Sequence, residues 1–317
     1  METKSILIVY IVLTAEKKYK ILEGKMISGS LVAIITPFKK NKIDEQTLTE
    51  LIEFQIEGGT HGIVPCGTTG ESPTLSYEEH KGVIKHTIKV VNKRVPVVAG
   101  TGSNSTDEAI NLTRYAEQAG ADAALVIVPY YNKPTQEGIF QHFKSIAANT
   151  DIPIILYNVP GRTGVNMETE TVARLRSSSK NIIGIKEASG SITQASNILS
   201  QCGKDFLLLS GEDALNYPLL TIGARGFITV TANIVPNDVA ELYNRFVAGD
   251  YSACKELHYK LLPLNEALFL ETNPIPVKRA LALMNKIEMG CRLPLCEMSK
   301  THLDKLKSAL KNYGLTD

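Results

Sequence analysis

The feature that most constrains this chain is a repeat of short apolar runs. They are Leu31–Ile35, Gly62–Pro65, Val95–Ala99, Ala123–Val128, Ile152–Tyr157, Ile182–Lys186, Phe206–Leu209 and Phe227–Val230. Their starts lie roughly 20 to 33 residues apart, enough for a helical crossover between parallel strands, which takes a dozen residues or more. Most are continuously apolar, as strands covered on both faces must be.

The intervening stretches carry helix signals. Asp44 is placed to cap Glu45–Glu57, and Gly58-Gly59 to end it. Ser76 with Glu79, and Ser105 with Glu108, have the spacing of capping boxes, and Gly120 suits a left-handed C-cap. Pro236 fits the first turn of a helix running to Ala248. Eight strand–helix units in series predict an α/β fold, a closed (β/α)8 TIM barrel over residues 26–249. The alternative, an open doubly wound sheet, calls for a G-x-G-x-x-G after its first strand, and Leu31–Phe38 has no glycine. Residues 250–317 show helix-like runs (Tyr251–Leu262, Ile275–Met284, Lys300–Leu310) and no clear strand, so a C-terminal helical appendage is expected there.

Composition narrows the function. Thirty-four Lys and Arg against 33 Asp and Glu leave a formal net charge of +1, with no basic footprint for nucleic acid. The five cysteines are scattered, odd in number and free of any C-x-x-C, which fits a reducing, cytoplasmic setting. No histidine pair has metal-ligand spacing, and no metal or cofactor is expected. Residues 1–25 include an apolar run, Ile6–Leu13, too short to span a bilayer. They are expected to be a disordered extension or the product of an upstream start, with Met26 opening the globular part.

In a barrel of this kind the reactive side chains gather at the C-terminal ends of the strands. Gly67-Thr68-Thr69-Gly70 follows the second run and suits either carboxylate binding by backbone N–H groups or a plain tight turn. Tyr130-Tyr131 follows the fourth, and a barrel rim would account for both. Tyr157, ending the fifth, and Arg162 just beyond suit a proton relay and a carboxylate clamp; a solvated loop arginine is the bland counterpart. Lys186 ends the sixth run. An amine at the end of a buried strand loses hydration, which favours the neutral form that attacks a ketone; the alternative is a lysine snorkelling to water. Gly211 follows the seventh run and would let a substrate approach the backbone; Ile228 in the eighth would wall the pocket.

Taken together, Gly67–Ser72, Pro129–Gly138, Leu156–Gly164, Gly184–Ala188, Val230–Asn233 and Asn273–Lys278 resemble the dihydrodipicolinate synthases, in register from Met26 to about residue 285. The resemblance implies a lyase without cofactor. In it Lys186 forms a Schiff base with pyruvate, and Thr68, Tyr131 and Tyr157 relay protons. Thr69 binds the pyruvate carboxylate, Arg162 receives the carboxylate of aspartate semialdehyde, and Gly211 and Ile228 line the pocket. It further implies a homotetramer, a dimer of dimers, with Tyr131 entering a neighbouring subunit. Ser72, His80, Asn104, Glu108 and Tyr130 match a cleft that binds the feedback inhibitor L-lysine, although Pro73 and Tyr77 depart from the residues common there. The related N-acetylneuraminate lyases share the lysine and tyrosine; Thr68-Thr69 and Arg162 favour the synthase. A barrel kept only as a scaffold would not need every catalytic position filled.

Overall fold

The computed structural model describes residues 27–317. Residues 1–25, expected to be an extension, and the proposed start at Met26 lie outside the described residues.

Eight parallel strands form the centre: β1 (Gly29–Ala33), β2 (Gly62–Val64), β3 (Val98–Gly100), β4 (Ala123–Ile127), β5 (Ile154–Asn158), β6 (Ile182–Glu187), β7 (Leu207–Ser210) and β8 (Gly226–Thr229). They follow the order β2-β1-β8-β7-β6-β5-β4-β3. The Ile63–Val97 bridge and the bond from the Gly100 N–H to the Pro65 carbonyl (2.9 Å) join the two ends. The fold is therefore the (β/α)8 barrel. β3 starts later than its apolar run because Pro96 has no N–H for the ladder and the Val97 N–H turns to the Asp122 carboxylate at 2.8 Å.

Alternation along the strands divides the core. Leu31, Ala33, Leu125, Ile155, Tyr157, Leu207 and Leu209 fill the barrel interior. Their sequence neighbours, among them Val32, Val126, Leu156 and Leu208, face the surrounding helices. Each such side chain, fully buried, contributes roughly 1.5–3 kcal/mol.

The surrounding helices are α1 (Glu45–Glu57), α2 (Tyr77–Val91), α3 (Thr106–Ala119), α4 (Gln136–Ala148), α5 (Thr169–Ser178), α6 (Ile192–Cys202), α7 (Asn216–Thr221) and α8 (Pro236–Val247). Asp44 caps α1 through the Thr47 N–H, and Ser76 with Glu79 forms a reciprocal box on α2. The box expected from Ser105 and Glu108 does not form. Ser103 intervenes: its hydroxyl donates to the Glu108 carboxylate at 2.7 Å and accepts from the Ser105 N–H at 3.1 Å. Gly120 does end α3, at φ +92°.

Three further helices follow: α9 (Tyr251–Ala267), α10 (Ile275–Leu283) and α11 (Lys300–Tyr313). α9 runs past its expected end at Leu262 and through Pro263, because Leu261, Leu264 and Leu268 are buried against the barrel's outer core. Leu281, Leu306 and Leu310 belong to the same apolar cluster as Val32 and Ile63, so the C-terminal helices share the barrel's outer core. Among the described residues no helix is long and apolar enough to cross a membrane.

Candidate active site

The C-terminal ends of the strands open on a cavity of about 470 Å³. Lys186 projects into it because its position on β6 alternates with Ile185, which faces the helices. The parallel register sets Lys186 beside Tyr157 of β5 and Leu209 of β7, so all three occupy one inward layer. The Lys186 ammonium lies 4.2 Å from the centroid of the Tyr157 ring, and the residue is only 7% exposed. Among the described residues no carboxylate comes within 4.0 Å of that nitrogen.

Two acids stand nearby. Asp213 is buried, accepts from the Thr229 hydroxyl and from the Val230 N–H at 2.8 Å, and lies within the field of Lys186. Burial raises its carboxyl above the ordinary range, against those hydrogen bonds and the Lys186 charge. Glu212, on the cavity wall, is raised by burial and by its neighbour Asp213. Gly211 is required by contact: a Cβ there would sit 2.9 Å from Lys186 Cε and 2.7 Å from the Ala188 Cβ.

The remaining walls come from separate loops. Thr68 and Thr69 follow β2; Arg162 stands on a one-turn helix, Pro160–Thr163, after β5; Ile228 comes from β8. Arg162 is exposed at the rim and donates to the Asn273 carbonyl at 3.2 Å. Thus Lys186, Tyr157, Thr68, Thr69, Arg162, Gly211 and Ile228 share one cavity. Tyr131 does not join them. It is 88% exposed, with φ +73°, and lines neither of the cavities at the barrel mouth.

The five positions matched to a lysine cleft divide. Ser72 and Tyr130 line a second cavity of about 210 Å³, which shares Thr68, Tyr157 and Arg162 with the first. Asn104 does not line it but donates through its amide to the Tyr130 carbonyl at 3.2 Å, and Glu108, exposed and bound by Ser103, lines a separate surface cavity with Tyr77 and Lys81. His80 lies behind the wall: it is buried, and its Nε2 donates to the Gly100 carbonyl at 2.7 Å. Burial lowers its imidazolium pKa.

Reasoning from strand ends missed one side of the cavity. Phe269, Glu271, Thr272 and Asn273 arrive from the segment between α9 and α10. The Asn273 amide donates to the Thr69 hydroxyl at 3.0 Å, and its side-chain oxygen is buried without a partner. The only signal for it was Asn273-Pro-Ile-Pro-Val-Lys278, a shared motif to which no role attached. Among the described residues no cluster of three or more His, Cys, Asp or Glu is placed to hold a metal ion.

The sequence profile described as the Dihydrodipicolinate synthetase family matches residues 26–313. This chain belongs to that family. A relative named 4-hydroxy-tetrahydrodipicolinate synthase, from Thermodesulfovibrio yellowstonii, is 60% identical over 92% of this chain and 99% of its own length. The structure of the synthase of that name from Methylacidiphilum fumariolicum SolV superposes with a TM-score of 0.90, at 48% identity, over 91% of this chain and 96% of that one. A dihydrodipicolinate synthase from Cyanidioschyzon merolae, solved with lysine bound, superposes at 0.88 with 38% identity over 91% of this chain and 98% of that one.

Proposed function

We propose that the chain is a 4-hydroxy-tetrahydrodipicolinate synthase, a lyase that condenses pyruvate with L-aspartate 4-semialdehyde on the diaminopimelate route to lysine. The observation that carries the reading is a buried amine with no ion pair among the described residues, facing a cavity beside a phenol. The Lys186 amine attacks the pyruvate ketone and, with loss of water, forms an imine. Loss of a methyl proton gives an enamine, whose carbon adds to the aldehyde of the second substrate. Tyr157 carries protons in both steps, with Thr68 as its partner in the relay. Thr69 holds the pyruvate carboxylate, and Arg162, at the rim, receives that of the semialdehyde. The substrate amine then cyclises onto the imine carbon and releases Lys186.

The exposed Tyr131 supports a tight dimer in which each phenol completes the neighbour's relay, paired into a cytoplasmic homotetramer. The second cavity, lined by Ser72 and Tyr130 with Asn104 bonded to Tyr130, supports a site for L-lysine as inhibitor, with Glu108 and His80 to meet its amines and Asn104 and Tyr130 to hold its carboxylate. The barrel over 26–249 and the helical segment over 250–317 are the two parts of each subunit.

The test is incubation with pyruvate and borohydride followed by intact mass. A single reduced pyruvate adduct on Lys186, together with turnover of aspartate semialdehyde, is the expected result. An unmodified mass would sink the reading, and an adduct without turnover of that aldehyde would leave only a different pyruvate aldolase.

A further inference from the structure

The wall that carries Thr68 and Thr69 is braced from outside the cavity. Two non-glycine residues at positive φ bracket the loop, Cys66 at +55° and Glu71 at +53°. Side chains hold that conformation only where their surroundings impose it. Inside the loop the bonds are turn-like: the Gly70 and Glu71 N–H groups donate to the Gly67 and Thr68 carbonyls, both at 3.1 Å. What holds Glu71 is its side chain. Its carboxylate is fully buried and accepts from the Lys278 ammonium and, at 3.0 Å, from the Arg292 N–H. Lys278 is fully buried as well, donates to the Gly290 carbonyl at 2.7 Å and lies 4.1 Å from the centre of the Phe38 ring.

Burying two charges carries a large desolvation cost, and apolar residues of similar volume hold a core together as well or better. The pair therefore needs a reason beyond stability. One lies five residues back along the chain. Asn273 enters the same loop at Thr69 and also supplies the carbonyl that Arg162 contacts. The stretch Asn273–Lys278 thus grips the Thr69 loop at two points and the Arg162 rim at a third.

We propose that the buried Glu71–Lys278 pair is a positioning device that sets Thr69 at the distance required to bind the pyruvate carboxylate. Neither residue lines either of the two cavities at the barrel mouth, and both side chains are fully buried, so neither touches substrate. The inference rests on the function proposed above and adds to it a dependence of pyruvate affinity on the C-terminal segment.

The test compares the full-length parent with Glu71→Gln/Lys278→Met, which removes both charges, and with Glu71→Gln alone. Thermal midpoints are recorded, and borohydride trapping on Lys186 is followed against pyruvate concentration. The double variant is expected to melt close to the parent, because no buried charge is left unpaired. Its half-saturating pyruvate concentration should rise about tenfold, the scale at which sub-ångström misplacement acts, while kcat at saturating pyruvate changes far less. A folded double variant with unchanged pyruvate dependence overturns the proposal. So does failure of both variants to fold, which would make the pair a requirement of assembly. A parent that forms no adduct overturns the proposed function, and this inference with it.

Discussion

Among the described residues two lysines are buried, Lys186 in the barrel and Lys278 on α10, and their surroundings differ in one decisive respect. Lys278 has a carboxylate, a backbone carbonyl and an aromatic face around its ammonium, and its side chain is fully buried. Lys186 has an aromatic face, a cavity and, among the described residues, no carboxylate within ion-pair distance; Glu212 and Asp213 reach it only through their fields. Burial alone therefore does not make a nucleophile. The Lys278 nitrogen is enclosed by its carboxylate, carbonyl and ring, so no electrophile can reach it, whereas the Lys186 nitrogen opens on a pocket that a ketone can enter.

The sharpest break of this comparison is to remove each lysine in turn. Lys186→Ala should lower condensation by about 10³-fold or more, abolish the trapped adduct and leave urea unfolding nearly unchanged. Lys278→Ala should do the reverse in stability, losing roughly 3–5 kcal/mol, because Glu71 is left charged and unpaired in the core. Equal stability losses in the two variants would show that the surroundings do not distinguish them.

A smaller effect probes the space around Lys186. Gly211→Ala places a methyl 2.9 Å from Lys186 Cε, and the side chain must shift. The rate of adduct formation should fall about tenfold, the equivalent of about 1.4 kcal/mol. An unchanged trapping rate would mean that the amine tolerates displacement.

The smallest effect lies on the Lys278 side and is read in acid. Arg292, whose N–H holds Glu71, also clamps Glu79 through two bonds of 2.6 Å. Hydrogen bonds from Arg292 lower the Glu79 carboxyl from 4.5 to about 2. A carboxylate lowered on folding stabilises the native state above its unfolded pKa, and that contribution fades as pH falls from 4.5 towards 2. Because the group is partly in solvent, roughly 0.5–1 kcal/mol is expected. Urea midpoints between pH 5 and 2.5 should drop more steeply in the parent than in Glu79→Gln; parallel slopes would remove Glu79 from the account.

The active-site face was largely legible from local pattern. The apolar run ending at Lys186 foretold a strand, and alternation then placed Lys186 and Tyr157 on the inward face. The caps of α1 and α2 followed from residues three apart. Ser105 shows where that reasoning stops: Ser103 lies two residues further from Glu108 in sequence, yet the loop turned its hydroxyl and not that of Ser105 toward Glu108.

By itself, then, the sequence determined the strand–helix rhythm, the identity of the amine and the hydroxyls at the strand ends, because those depend on periods of two and 3.6 residues. Tertiary structure alone decided the rest. It brought Asn273 to Thr69 across 204 residues and Lys278 to Glu71 across 207, buried His80 against Gly100, and left Tyr131 exposed. The first two depend on how the segment beyond the barrel packs on its outer core, the last two on how α2 and the loop after β4 settle against their neighbours, and no local period encodes either.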